Sequence, residues 1–144
     1  MKGTFVVLGP RRVAYLDYFG SGAETIAHLR ENGRIVLMWC AFSGPPRIVR
    51  LHGHGHVALP GSVEFAALRP LFAKERSKGV RSVIVVDVVR IADSCGYAVP
   101  LMEFTGDRDV LDRSQERRDP EYFEQYAATR NNESVDGLPA LDGP

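Results

Sequence analysis

Apolar and polar positions alternate along the chain in a way that predicts strands more often than helices. Residues 4–8 (TFVVL) form a short apolar run that stops at Gly9 and Pro10. Residues 12–18 (RVAYLDY) predict a second strand, with Val13, Tyr15 and Asp17 on one face and Ala14, Leu16 and Tyr18 on the other. The period then changes. Ser21 followed by Glu24 reads as a capping box, Ile26 and Leu29 supply an apolar stripe, and Asn32 with Gly33 ends a helix.

Two longer strands follow. Residues 34–42 (RIVLMWCAF) are apolar on both faces. In 47–59, Val49, Leu51, Val57 and Leu59 face one way, and Arg50, His52, His54 and His56 the other. The turn between them, Ser43 to Pro46, predicts a hairpin. A short helix near 62–73 leads to a nearly continuous Val/Ile strand at 80–92, a pattern of burial on both faces or at a subunit contact. Beyond Tyr97 the chain turns polar. Asp107 opens one helical stretch, and Asp119 and Pro120 open another as an N-cap and a first-turn proline. Phe123, Tyr126 and Ala127 form the apolar side of the latter, and residues 131–144 are expected on the surface or on a partner. The predicted class is mainly antiparallel β with helices, rolled into a small barrel or half-barrel, because closure removes sheet edges. Residues 1–104 form the barrel domain and 105–144 a helical acidic extension.

Composition narrows the possible functions. The 144 residues suit one domain with a tail. No apolar run is long enough to span a membrane, and the N-terminus lacks the features of a secretory signal. Two cysteines make no disulfide framework, so a reduced cytoplasm is expected. The net charge of zero is unevenly divided. Residues 1–102 hold 13 Lys+Arg against 7 Asp+Glu, and residues 103–144 hold 5 against 11. The body therefore suits an anion such as a phosphate, or the acidic tail folds back upon it. No basic stripe is interleaved with aromatics, which argues against nucleic acid.

The candidate chemistry is sparse. His52, His54 and His56 share a strand face, but the outer pair lies roughly 13 Å apart at strand rise, too far for one metal ion with bonds near ~2 Å. The sequence therefore predicts no metal site. Gly53 and Gly55 permit close packing from the other side, by a strand or a flat ligand. Cys40, His28 and Asp17 can be drawn as a triad, although Cys40 reads better as a small buried hydrophobe. Gly20, Ser21 and Gly22 before a helix offer backbone N–H groups and a helix dipole to an anion. No residue is singled out as a general acid or base.

From Val13 to Leu59 the chain resembles the flavin-binding split-barrel proteins, and most of all the pyridoxamine 5′-phosphate oxidase-related branch. Tyr15, Asp17, Gly20, Ser21, Asn32, Gly33, Arg47 and Gly53 follow the family order, and the later LMEFTGDRDVLDR and SVDGLPAL segments fit one subgroup. The resemblance implies a split barrel, a homodimer and FMN at the subunit interface, with a deazaflavin as the alternative. It places the flavin ring near Tyr15, Leu16 and Asp17, the phosphate near Ser21 and Gly22, and Arg47 on the cofactor. It implies an FMN-dependent oxidoreductase of unspecified substrate, or a non-catalytic flavin-binding or dimerisation module with reduced flavin binding. Two departures stand out. Arg47, Ile48 and Val49 replace an Arg-Gln-Val run, and Gly22 and Ala23 replace an Arg-Lys pair. The chain also starts late against the family pattern, so a barrel incomplete at the N-terminus is expected, and Lys2 does not match the family lysine. The homodimer contact is expected to include the strand at 83–91.

Overall fold

The structure, a computed structural model, describes residues 3–141. Its elements are β1 (Phe5–Gly9), β2 (Arg12–Tyr18), α1 (Glu24–Asn32), β3 (Arg34–Cys40), β4 (Arg47–Ala58), α2 (Val63–Leu68), a 3-10 turn (Arg69–Leu71), β5 (Val80–Cys95), α3 (Val110–Glu116) and α4 (Pro120–Arg130). The strands form one antiparallel sheet in the order β1-β2-β5-β4-β3. Strand β5 is central. It pairs with β2 over its first half and with β4 over most of its length. That position explains the Val/Ile run: residues 83–86 are fully buried by sheet neighbours and cores on both sides. Burial of this half therefore needs no second subunit, and only the outer half leaves Val89 and Ile91 exposed.

Each face of the sheet carries a core. Val13, Ile84, Val86 and Val88 pack with Ile26, Ala27 and Leu29 of α1 and with Ala140 and Leu141. On the other face Ala14, Leu16, Tyr18, Val83 and Val85 pack with Phe72, Phe65 and Leu68. The sheet is rolled. Phe5 on one edge strand meets Trp39 on the other, with ring centroids 5.3 Å apart and planes at 75°. The two edges thus approach each other, and the class is the mainly β split barrel that the strand pattern predicts.

Local signals behave as physical chemistry requires. Gly33 adopts φ 70° and its N–H closes on the Leu29 carbonyl at 3.0 Å, ending α1. Asp119 caps α4 by accepting from the Tyr122 N–H at 2.8 Å. The close packing predicted at the HGHGH run comes from the chain itself. A Cβ at Gly53 would overlap the Asp87 carbonyl of β5, and one at Gly55 would press on Leu29 of α1.

Two expectations change, and one open alternative is decided. Strand β3 stops at Cys40, two residues early, because the chain turns into the hairpin there. The acidic extension folds back onto the body: Asp112 meets Lys74 at 2.6 Å and Arg76 at 3.4 Å, and Glu116 meets Arg76 at 3.2 Å. The last segment is not a surface tail, since Asn131, Ser134, Ala140 and Leu141 are buried. Backbone bonds from Ser134, Ala140 and Leu141 to the carbonyls of Leu138, Asn132 and Asn131 fold it into a compact turn, so its polar backbone can enter the core satisfied.

Candidate functional site

Strand β2 delivers Tyr15, Leu16 and Asp17 to the edge of a short loop, residues 19–23, that opens α1. Alternation separates these three at once. Tyr15 packs at the rim of the core beneath α1, whereas Leu16 is 5% exposed in the opposite core and offers a ligand only its backbone. Burial and the neighbouring Asp17 carboxylate push the Tyr15 hydroxyl up to about 12, against a hydrogen bond with Thr25 and the charge of Arg81.

Asp17 is committed to Arg81. The guanidinium donates to both its carboxylate oxygens, at 2.8 and 3.0 Å, and the Ser82 hydroxyl adds a bond at 2.9 Å. Arg81 Nη1 also donates to the Gly22 carbonyl and to Asn131 Oδ1, each at 2.8 Å. Asn131, fully buried, donates in turn to the Gly20 carbonyl at 3.2 Å. Gln115 of α3 donates to the Phe19 carbonyl at 3.0 Å, and Phe123 of α4 lies against the Phe19 ring, 5.2 Å between centroids. The carbonyls of Phe19, Gly20 and Gly22 are therefore all held from the C-terminal half of the chain.

This clamp corrects the capping-box expectation. The α1 N-cap is Ala23, and no side chain caps the helix. Ser21 is exposed outside the helix. With the Gly20 and Gly22 carbonyls pinned by Asn131 and Arg81, the chain cannot begin helical turning at Ser21, and the helix starts at Glu24. The Glu24 carboxylate lies against Gly22. It brings a negative charge to the end of α1 where an anion is favoured.

Arg47 lies elsewhere. It opens β4 opposite Cys95 of β5, exposed, with Nε 3.9 Å from an Asp93 carboxylate oxygen. Asp17 pairs with Ser82 of the same strand β5. From Ser82 to Cys95 the strand path is roughly 40 Å at ~3.3 Å per residue. One chain therefore brings Tyr15, Asp17, Ser21 and Gly22 together and leaves Arg47 at the far end of the barrel.

The other candidates disperse. His28 pairs with Asp136 at 3.6 Å and Asp17 with Arg81, so no triad forms with Cys40. His56 Nε2 lies 3.0 Å from both Glu64 carboxylate oxygens, and Arg12 reaches the same Glu64 at 3.4 Å. No cluster of three or more metal-binding side chains occurs among the described residues.

Comparison with known proteins fixes the relationship. No family profile matches the chain. The chain is 37% identical, over 151 aligned residues and 96% of its length, to a pyridoxamine 5′-phosphate oxidase family protein, ustO, of Aspergillus flavus. This chain is a pyridoxamine 5′-phosphate oxidase-related protein. It spans 61% of that relative's length. Among solved structures it is similar to HupZ of Group A Streptococcus. A histidine-to-alanine variant gives a TM-score of 0.51 at 18% identity, covering 65% of this chain and 75% of that one, and HupZ itself gives 0.50 at 18%, covering 64% and 70%. That likeness is one of fold, the split barrel. No helix among the described residues is long and apolar enough to cross a membrane.

Sequence reading missed Arg81, Asn131 and Gln115. Arg81 had a signal: a charge two residues ahead of a run of buried Val and Ile requires a buried partner. Asn131 and Gln115 had none, since each is one polar residue among many in a charged stretch.

Proposed function

We propose that this chain is a flavin-binding protein, an FMN-dependent oxidoreductase of a small molecule, which works as a homodimer in the cytoplasm. Relationship to the oxidase family supports the class. The observation that carries it to a place on the molecule is the loop at 19–23. Its carbonyls are fixed from behind, while the Ser21 hydroxyl stays exposed and the first turn of α1 has no side-chain cap. Backbone N–H groups at such a start, with the helix dipole, suit a phosphate.

Within one chain the fit is half complete. The loop offers donors, but Glu24 brings a negative charge and Arg81 is already committed to Asp17. The missing cation is Arg47 of a second copy. The apolar surface near the Arg47 end supports that arrangement. Tyr97, Leu101, Met102 and Phe104 stand exposed on an arm after β5, and Phe42, Leu101, Met102 and Phe104 line a groove of about 750 Å³ beside the hairpin turn. Ser21, Gly22 and Arg47 would hold the phosphate, and the Tyr15 edge of the barrel would meet the ring. When bound, the flavin supplies the electron transfer; the protein contributes position and electrostatics.

The test is titration of purified protein with FMN, followed by reduction with NADPH or dithionite. A saturable site with bleachable flavin absorbance is expected. Tight binding of a deazaflavin in place of FMN would move the cofactor assignment. Binding of neither would leave a dimerisation module and sink the oxidoreductase reading.

A further inference from the structure

We propose a binding site for a linear dianion, two carboxylates joined by an apolar chain, in the groove that crosses β3, β4 and β5 on the face of the sheet away from α1. Alternation sets up this face. Ile35, Leu37 and Leu51 pack toward α1 and its core, so Val36, His52 and His54 point the other way. With Arg34 and Val89 they line a hollow of about 410 Å³. A second hollow of about 210 Å³, lined by Arg11, Val88, Val89 and Arg90, meets the first at Val89. Val89 owes its place to the backbone. His52 pairs with Arg90 and Gly53 with Val88, so Val89 is the extra residue of a β-bulge. A bulge bends its strand and re-aims a side chain. The pairing of β5 with β2 also ends here, with Arg12 opposite Asp87 and the Val88 N–H donating to the Arg11 carbonyl at 2.8 Å. The groove thus runs from β3 to the β1–β2 turn over an apolar floor, Val36 and Val89, both exposed.

The cations at its two ends are uncommitted. The row across the sheet reads Arg34, His54, Asp87 and Arg12. Arg12 takes up the nearby carboxylates: its Nε lies 3.5 Å from Asp87, and its Nη2 lies 3.4 Å from Glu64, which also meets His56 at 3.0 Å. Among the described residues no carboxylate lies within ion-pair distance of Arg11, Arg34, Arg90, His52 or His54. These groups are divided between the ends of the groove. Arg34 stands on β3, and Arg11 and Arg90 stand beyond Val89. Three strand spacings of ~4.8 Å put roughly 14 Å of sheet between the Arg34 and Arg11 backbones, and side chains that reach inward shorten the gap between their charges. A single phosphate or carboxylate is too small to meet both ends. A carboxylate pairs side by side with a guanidinium at each end, and methylenes between the two cover Val36 and Val89. An apolar floor with a few polar groups that fix orientation is the usual make-up of a small-molecule site.

The test uses the full chain and three probes, titrated by NMR with the His52 and His54 ring signals as local reporters. Suberate carries two carboxylates on an eight-carbon chain, octanoate keeps the chain with one carboxylate, and succinate keeps both carboxylates on a short chain. Suberate should bind about tenfold or more tighter than either of the others and should move both ring signals. Equal affinity for suberate and succinate would reduce the site to a surface arginine cluster, and equal affinity for suberate and octanoate would reduce it to a one-ended crevice; either overturns the proposal. So does the absence of saturable suberate binding, or saturation that leaves both rings unmoved. Arg34→Gln should weaken suberate by about tenfold, and so should the double variant Arg11→Gln with Arg90→Gln. All three side chains are exposed, so the fold should hold. Unchanged affinity in either variant removes that end of the site and overturns the proposal. Arg117→Gln takes one exposed charge from the C-terminal extension instead and should leave suberate binding unaltered. A loss there equal to that of Arg34→Gln would make the binding an effect of overall charge and overturn the proposal.

Discussion

Arg81 grips Asp17 through both carboxylate oxygens, at 2.8 and 3.0 Å, and leaves only 6% of its own surface exposed. The pair joins β2 to β5, and the other guanidinium nitrogen reaches the loop and the C-terminal segment. Removing one partner strands the other charge where water solvates it poorly. Arg81→Met should therefore cost about 3–5 kcal/mol of folding stability. The double variant with Asp17→Asn should lose clearly less than the sum of the two single losses. Urea denaturation measures all three. A loss under about 1 kcal/mol for Arg81→Met would mean that the pair is solvated.

Ser21 tests the difference between a cap and a ligand contact. A capping serine costs about 1 kcal/mol when replaced by alanine. Ser21 is not the cap, so Ser21→Ala should change stability by no more than about 0.5 kcal/mol. Under the flavin reading the same variant should weaken FMN much more than riboflavin, which lacks the phosphate. Equal weakening of both ligands would take the phosphate away from this loop.

Tyr15 sets an alkaline signature. Its hydroxyl is pushed up to about 12 by burial and by Asp17, from an ordinary value of 10.0. Between those two values the unfolded chain loses the proton and the folded chain keeps it. The unfolded state then binds fewer protons, so this contribution to stability is complete below pH 10 and is lost as pH rises toward 12. Tyr15→Phe should flatten that part of the decline. A tyrosine absorbance titration of the folded protein should show a late-ionising group that the variant lacks, while Tyr18, also pushed up by burial, remains.

The closure of the sheet rests partly on one ring contact, Phe5 against Trp39. Trp39 is the only tryptophan, so the emission reports on its surroundings, Phe5 among them. Phe5→Ala should shift that emission toward the solvent-exposed value. Its cost should include about 0.5–1.5 kcal/mol for the aromatic pair beyond lost area. An unshifted spectrum would mean that the edges do not meet in solution.

The elements legible in the sequence are those that local chemistry decides. Strand β2 matches its alternation end to end, α1 stops at the glycine that must take positive φ, and Asp119 caps α4. The loop was legible as a site and misread in detail. Whether Ser21 caps a helix depends on Arg81 and Asn131, which are 60 and 110 residues away, and no local pattern carries that. The same holds for the end of the chain. Its polar composition reads as surface, yet its backbone bonds are satisfied internally and it enters the core. Arg47 shows the opposite limit: a motif places it beside Ser21 in order, while the barrel places it at the other end.

That separation gives the sharpest prediction. If one chain held the whole phosphate site, Ser21→Ala and Arg47→Ala would act within the same molecule. The strand path of roughly 40 Å between their ends of β5 sets the two apart. In a symmetric dimer each site would combine the loop of one protomer with the Arg47 end of its partner. Arg47→Ala should weaken FMN by about 1–3 kcal/mol, with no loss of fold, since the side chain is exposed. Ser21→Ala should weaken it independently. Unfolding and refolding the two variants together should then restore a fraction of full-affinity sites, because mixed dimers carry one site with both residues intact. Mixtures that bind no better than either variant alone, from protein that light scattering shows to be dimeric, would place Arg47 outside the flavin site. A monodisperse monomer that still binds FMN tightly would do the same and would also remove the dimer.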